Sequence, residues 1–92
     1  MNATRICAKQ TYTEDGEPLL LEYDLTVTHG YIEHYGIRIR MRYRGRDESS
    51  CYRYVTTSKE RALQLIRRLA EGLVTPTCLD EVLEELFARL EL

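Results

Sequence analysis

The chain has 92 residues, of which 43% are hydrophobic and 30% are charged, and its formal net charge is −2. These values are typical of one globular domain, residues 1–92, and they exclude a largely disordered chain. No apolar run approaches the roughly 18 residues of a membrane span, and the first residues lack the apolar segment of a secretory signal. We therefore expect a cytoplasmic protein that does not bind membranes.

The charges are distributed unevenly along the chain. Residues 36–70 carry ten Lys or Arg and three acids, a net charge of +7. Residues 1–35 have a net charge of −4, and residues 71–92 have a net charge of −5. On folding, these blocks either neutralise one another or leave one face of the protein positive.

The first half of the chain predicts antiparallel strands. Residues 5–13 are compatible with a first strand, and apolar and polar residues alternate clearly over 19–28. His29 and Gly30 suit a tight turn before a third strand at 31–44. A fourth strand, 51–55, follows a polar turn. The apolar residues of strands two and three match if Gly36 forms a bulge, which places Glu22 opposite Arg38.

The second half predicts two helices, at about 58–71 and 76–90. Thr57 and Glu60 have the spacing of a capping box, Gly72 is placed to end the first helix, and Pro76 suits the first position of the second. The second helix has an apolar stripe, formed by Leu79, Val82, Leu83, Leu86, Phe87 and Leu90. We predict an α+β fold: a three- or four-stranded antiparallel β-meander followed by a C-terminal helical hairpin packed on one face.

The apolar stripe of the second helix also predicts self-association. It extends to Leu90 and Leu92, near the end of the chain, where the sheet no longer covers it. A small domain gains stability from additional burial of this kind. The sequence is therefore compatible with a homodimer, formed either through this helix or through an exposed edge of the sheet.

Two segments resemble a known family. They are "YGIRI" at Tyr35–Ile39 and "VTPTCLDEVLEEL" at Val74–Leu86. Over about residues 20–88 the chain resembles a domain-of-unknown-function family of small cytoplasmic proteins from clostridial Firmicutes. The resemblance implies a bacterial cytoplasmic protein and brings no activity with it. Members of that family usually carry lysines and acids where this chain has arginines, so the resemblance does not imply a shared arginine surface.

Arginines at alternate positions of the third strand form the candidate site. Arginine is preferred where a planar, forked donor must meet an anion. The predicted contact surface, for a protein or acidic partner, comprises Arg38, Arg40, Arg42, Arg44 and Arg46. Three other interpretations stay open. The row is a solvated face paired with Glu22 and Asp24, it binds nucleic acid, or the protein is a mobile-element inhibitor that blocks a larger protein.

No pattern in the sequence predicts catalysis, a metal site or a cofactor. His29 and His34 would lie on opposite faces of a regular strand. The three cysteines, Cys7, Cys51 and Cys78, have neither disulfide-framework nor zinc-site spacing, and we expect them in the core. The sequence therefore favours a non-enzymatic interaction or regulatory module, without metal or cofactor.

Overall fold

A computed structural model describes the backbone of residues 2–90 and the side chains of residues 2–85. Four strands form one antiparallel sheet in chain order: β1 (Asn2–Tyr12), β2 (Pro18–Thr28), β3 (His34–Tyr43) and β4 (Arg46–Thr56). Two helices follow, α1 (Lys59–Glu71) and α2 (Leu79–Leu90). The predicted α+β fold is confirmed, and the meander has four strands.

Both connections of β3 differ from the prediction. The loop before β3 comprises residues 29–33, so the strand begins at His34 and not at residue 31. The turn after it contains only Arg44 and Gly45, with φ of 50° and 72°. Two successive residues in the left-handed region are characteristic of a type I′ hairpin turn. Strand β4 consequently begins at Arg46, five residues before the predicted start.

The longer loop changes the register between β2 and β3. Glu22 lies opposite Arg40, and Asp24 lies opposite Arg38, a shift of two residues from the predicted pairing. The pairing runs without interruption from Leu19–Tyr43 to Thr28–His34, so no bulge separates these two strands. Because a shift of two residues preserves the alternation, the predicted faces are correct although the register was wrong.

Gly36 does mark an irregularity, but the bulge is between β3 and β4. The register shifts between Tyr35 and Ile37 on the β4 side. A Cβ atom on Gly36 would lie 1.9 Å from the carbonyl oxygen of Tyr52 and 2.7 Å from the Cα of Arg53. Strand β4 therefore crosses so close to Gly36 that no other residue fits without displacing backbone.

The ends of α1 differ in detail from the sequence signals. Ser58 is the N-cap, and its hydroxyl accepts a hydrogen bond of 3.3 Å from the backbone N–H of Arg61. Thr57 was predicted to take that position. Gly72 follows the last helical residue as predicted, but its φ is −84°, and Leu73 has the left-handed φ of 51°. Pro76 begins a short 3₁₀ turn that leads directly into α2.

The core lies between the sheet and the helices. Helix α1 contacts all four strands, and Leu79 and Leu83 bring the start of α2 into the same cluster. Among the side chains that the structure describes, the buried apolar ones are Leu21, Tyr23, Leu25, Ile37, Ile39, Ala62, Leu65, Ile66, Leu69, Ala70, Leu79 and Leu83. At roughly 1.5–3 kcal/mol for each fully buried large side chain, this cluster is the main source of stability.

The expectation that all three cysteines belong to the core is wrong for two of them. Cys7 is half-buried and packs against the core cluster. Cys51, in edge strand β4, and Cys78, at the end of the 3₁₀ turn, are exposed.

Candidate partner-binding face

The structure brings together three of the five predicted site residues. Arg38, Arg40 and Arg42 occupy alternate positions of β3, on the face of the sheet opposite α1, which we call the open face. Arg44 lies in the hairpin turn. Arg46 pairs with Tyr43 across that turn, and Tyr43 belongs to the apolar row of β3. Arg46 is therefore on the other face, and the predicted five-residue surface is divided.

The open face contains buried acids beneath its arginines. Glu22 and Asp24 of β2 retain only 3% and 1% of their accessible surface, and Thr26 beside them retains none. Because these residues alternate with Leu21, Tyr23 and Leu25, they point away from α1. Arginine stems cover neighbouring surface while their charged ends stay in water. The polar side chains of β2 are thus buried although, within residues 2–90, no helix covers this face of the sheet.

Asp24 is the most firmly held of these acids. The Nε and Nη2 atoms of Arg38 both donate to Asp24 Oδ2, at 2.9 and 2.7 Å. Arg5 of β1 approaches from the other side, with its Nε 3.5 Å from Asp24 Oδ1. Charge-assisted bonds of this length are among the stronger polar contacts in proteins. Asp24 therefore ties β1, β2 and β3 together.

Glu22 forms a second junction. It pairs with Arg5, and its Oε1 lies 3.9 Å from the Nε of Arg42. Arg42 also lies 3.3 Å from the exposed carboxylate of Asp47 on β4. Within the described residues, Glu22 Oε1 and Asp24 Oδ1 accept no hydrogen bond of good geometry. The acids therefore keep some capacity to accept further donors.

Arg40 differs from its neighbours in this network. It is half-buried and lies opposite Glu22 and Ser49, between Arg38 and Arg42. It forms no ion pair with any residue that the structure describes. Arg40 is thus a cation without a described ion-pair partner, between two paired arginines of β3.

The sequence did not reveal the role of Arg5. A register shift between Arg5 and Cys7 interrupts the alternation of β1, so the pattern of that strand does not show that Arg5 shares a face with Asp24. The residues that predict a role for a cation of β1 lie on β2. Two acids that alternate with buried apolar residues require cations from both neighbouring strands, and β1 offers only Arg5 and Lys9.

The histidines lie at the opposite end of β3 from the hairpin. His29 Nδ1 is 3.1 Å from Glu33 Oε1, and the Tyr35 hydroxyl donates to Glu33 Oε2 at 2.8 Å. That hydrogen bond raises the pKa of Tyr35. The ring of His34 meets Tyr54 edge to face at 5.2 Å. No group of three metal-ligating side chains converges within the described residues.

Within residues 2–90, neither helix is both long and apolar enough to cross a membrane. A search of the curated proteins found no match, and a search of the solved structures found none either. A family model does match, over residues 2–89. The chain therefore belongs to a family of unknown function, DUF6514.

Proposed function

We propose that this protein is a non-enzymatic interaction module of the bacterial cytoplasm, and that its open face binds an acidic protein surface. The observation that carries the proposal is Arg40, a half-buried residue whose guanidinium has no ion-pair partner among the described residues. Arg38 and Arg42, on either side of it along β3, are both paired with acids of the sheet. A partner carboxylate can therefore form charge-assisted hydrogen bonds with Arg40 without breaking an existing ion pair. The sequence resemblance described above supports the proposed location of the protein in the bacterial cytoplasm.

The charge pattern favours a protein over nucleic acid. Glu22, Asp24 and Asp47 neutralise most of the charge of the arginines around Arg40. Binding to a phosphate backbone depends on several uncompensated cations, each of which displaces counterions. A mixed lattice of this kind fits a protein surface better, because such surfaces combine acids, which can pair with Arg40, with hydrogen-bond donors for the remaining acceptors.

The test compares three immobilised proteins in a lysate of the source organism: wild type, Arg40→Glu and Arg61→Glu. Arg61 is exposed on α1 and serves as the charge-matched control. We expect a partner that wild type and Arg61→Glu retain and that Arg40→Glu loses, with at least about a tenfold fall in affinity when the purified pair is titrated. Equal capture by all three proteins would contradict the proposal.

Two alternative functions, nucleic-acid binding and inhibition of a larger protein, can be tested with the same protein samples. Fluorescence anisotropy with single- and double-stranded oligonucleotides, at about 50 and 200 mM salt, tests nucleic-acid binding, which falls steeply with salt. A captured partner that is a larger enzyme, inhibited on binding, would identify the protein as an inhibitor.

We also propose a homodimer through α2 or a sheet edge. The side chains of Leu86, Phe87 and Leu90, and all of Leu92, lie outside the described residues, so the helix interface stays a prediction. Sedimentation velocity over a hundredfold range of concentration tests it, and a monomer throughout would contradict it.

A further inference from the structure

We infer a second site, on the other face of the sheet, that binds a small carboxylate or sulfonate with an aromatic or aliphatic body. The site is a pocket beside the β3–β4 turn with a volume of about 460 Å³. Its described lining residues are Met41, Tyr43, Arg44, Arg46 and Glu48. This volume is within the range of about 300–1,000 Å³ that is usual for small-molecule sites.

The strand pairing builds the pocket. Met41 lies opposite Glu48, and Tyr43 lies opposite Arg46, so all four side chains extend from one face of the hairpin. Met41 and Tyr43 continue the apolar row that begins in the core at Ile37, but they are only partly buried. They supply an aromatic ring and a flexible, polarisable thioether, a combination that accommodates apolar groups of different shape.

The charge of the pocket favours an anion. Two arginines face one acid, Glu48. The guanidinium of Arg44 is 5.2 Å from the centre of the Tyr43 ring, and its ion pair with the half-exposed Glu17 is long, at 3.7 Å. Arg46 forms no ion pair with a described residue. A ligand carboxylate can therefore be bound by Arg46 without breaking an existing pair.

The backbone supports a role for Arg44. It occupies the first position of a type I′ turn at a φ of 50°, where Asn, Asp or Gly is less strained. Residues kept in unfavourable conformations are concentrated at functional sites. Here the strained residue places a guanidinium at the pocket. The volume of about 460 Å³ admits a ligand of two or three rings or a medium-length chain, and the mixed lining favours an amphipathic one.

The probe is 8-anilinonaphthalene-1-sulfonate, an aromatic sulfonate whose fluorescence rises in apolar surroundings. We expect saturable binding to the full chain, displaced by octanoate and phenylacetate but not by the neutral octanol and 2-phenylethanol. Arg46→Gln should weaken binding about tenfold, since one charge-assisted contact is lost. Arg61→Gln, its matched control, should bind as wild type does. Arg44→Asn, which suits the turn, gives a second variant whose fold is secure, and it should also weaken binding.

Three results would overturn the inference. They are the absence of saturable binding, displacement by the neutral alcohols as readily as by the acids, and equal affinity in wild type and Arg46→Gln. Circular dichroism spectra establish that each variant is folded. Arg40→Glu should not change probe binding, so this site and the open face are tested independently.

Discussion

On the face that packs against α1, Leu21, Tyr23 and Leu25 of β2 lie among aliphatic side chains. On the open face, Glu22 and Asp24 of the same strand are buried as completely, beneath arginines. The first face gains its stability from apolar burial, which is not directional. The second depends on charged groups that must be paired in a fixed geometry, because removal of one partner leaves a desolvated charge. The open face is thus less tolerant of chemical change, although it contributes less to stability.

The largest expected effect tests how closely the bulge of β4 packs against Gly36. Gly36→Ala would place a Cβ atom 1.9 Å from the Tyr52 carbonyl oxygen, so the β4 bulge must move. We expect a loss of about 3 kcal/mol in the free energy of unfolding, measured by urea denaturation. Gly30→Ala is the control, because its nearest atom is at 3.6 Å and its φ needs no glycine. Similar midpoints for the two variants would mean that the bulge is easily displaced.

Removal of one buried charge tests the pairing itself. Asp24→Asn keeps the shape of the side chain but deprives Arg38 and Arg5 of their shared carboxylate. We expect a loss of about 2 kcal/mol, which is below the 3–5 kcal/mol of fully buried pairs because both arginines reach solvent. Asp47→Asn, at a carboxylate that is 69% exposed, should change stability by less than about 0.5 kcal/mol. Equal effects of the two changes would show that burial of Asp24 carries no energetic weight.

The core face also contains one polar contact. The hydroxyl of Tyr23 donates to the backbone oxygen of Val74 at 2.9 Å, which links β2 to the segment between the helices. Tyr23→Phe should cost about 1 kcal/mol at neutral pH, measured by urea denaturation. A loss near zero would mean that water replaces the hydroxyl.

The same tyrosine gives the core face a pH dependence. Burial, with a smaller contribution from Cys7, raises the pKa of Tyr23 to about 12 from its ordinary value of 10.0. As the pH rises, the unfolded state therefore loses the Tyr23 hydroxyl proton before the folded state does. The associated stability is complete below pH 10 and is lost as the pH rises towards 12. Denaturation curves between pH 9 and 11 should show this loss in wild type and a shallower one in Tyr23→Phe.

Periodicity in the sequence predicted which residues share a face, but not how the strands pair. The alternation in β3 correctly grouped Arg38, Arg40 and Arg42, because a strand places every second side chain on one side. Loop length has no such signature. His29–Gly30 resembled a two-residue turn, whereas five residues connect β2 and β3. The register, and with it the acid opposite each arginine, therefore could not be derived.

The true two-residue turn was missed because of its composition. Arg44 is an unusual residue at a positive φ, so the segment from Arg44 was predicted as a longer polar loop. Chain reversal at Gly45 places Arg46 on the face opposite Arg42, although the two are four residues apart in a row of alternating arginines. A pattern within one strand does not extend through a hairpin.

The smallest expected effect separates the structural arginines of the open face from the free one. Arg38→Gln removes both donors to Asp24 and leaves the buried carboxylate with Arg5 alone, so it should cost about 2 kcal/mol in the free energy of unfolding. Arg40→Gln removes no ion pair to a described residue and should change it by less than about 0.5 kcal/mol. Both substitutions remove one charge from the same strand face, so urea denaturation of the two variants at equal salt compares pairing alone. If Arg40→Gln proved as destabilising as Arg38→Gln, Arg40 would be part of the lattice that buries Glu22. Arg40 would then not be available to a partner, and the arginines of the open face would be explained by the stability of the sheet.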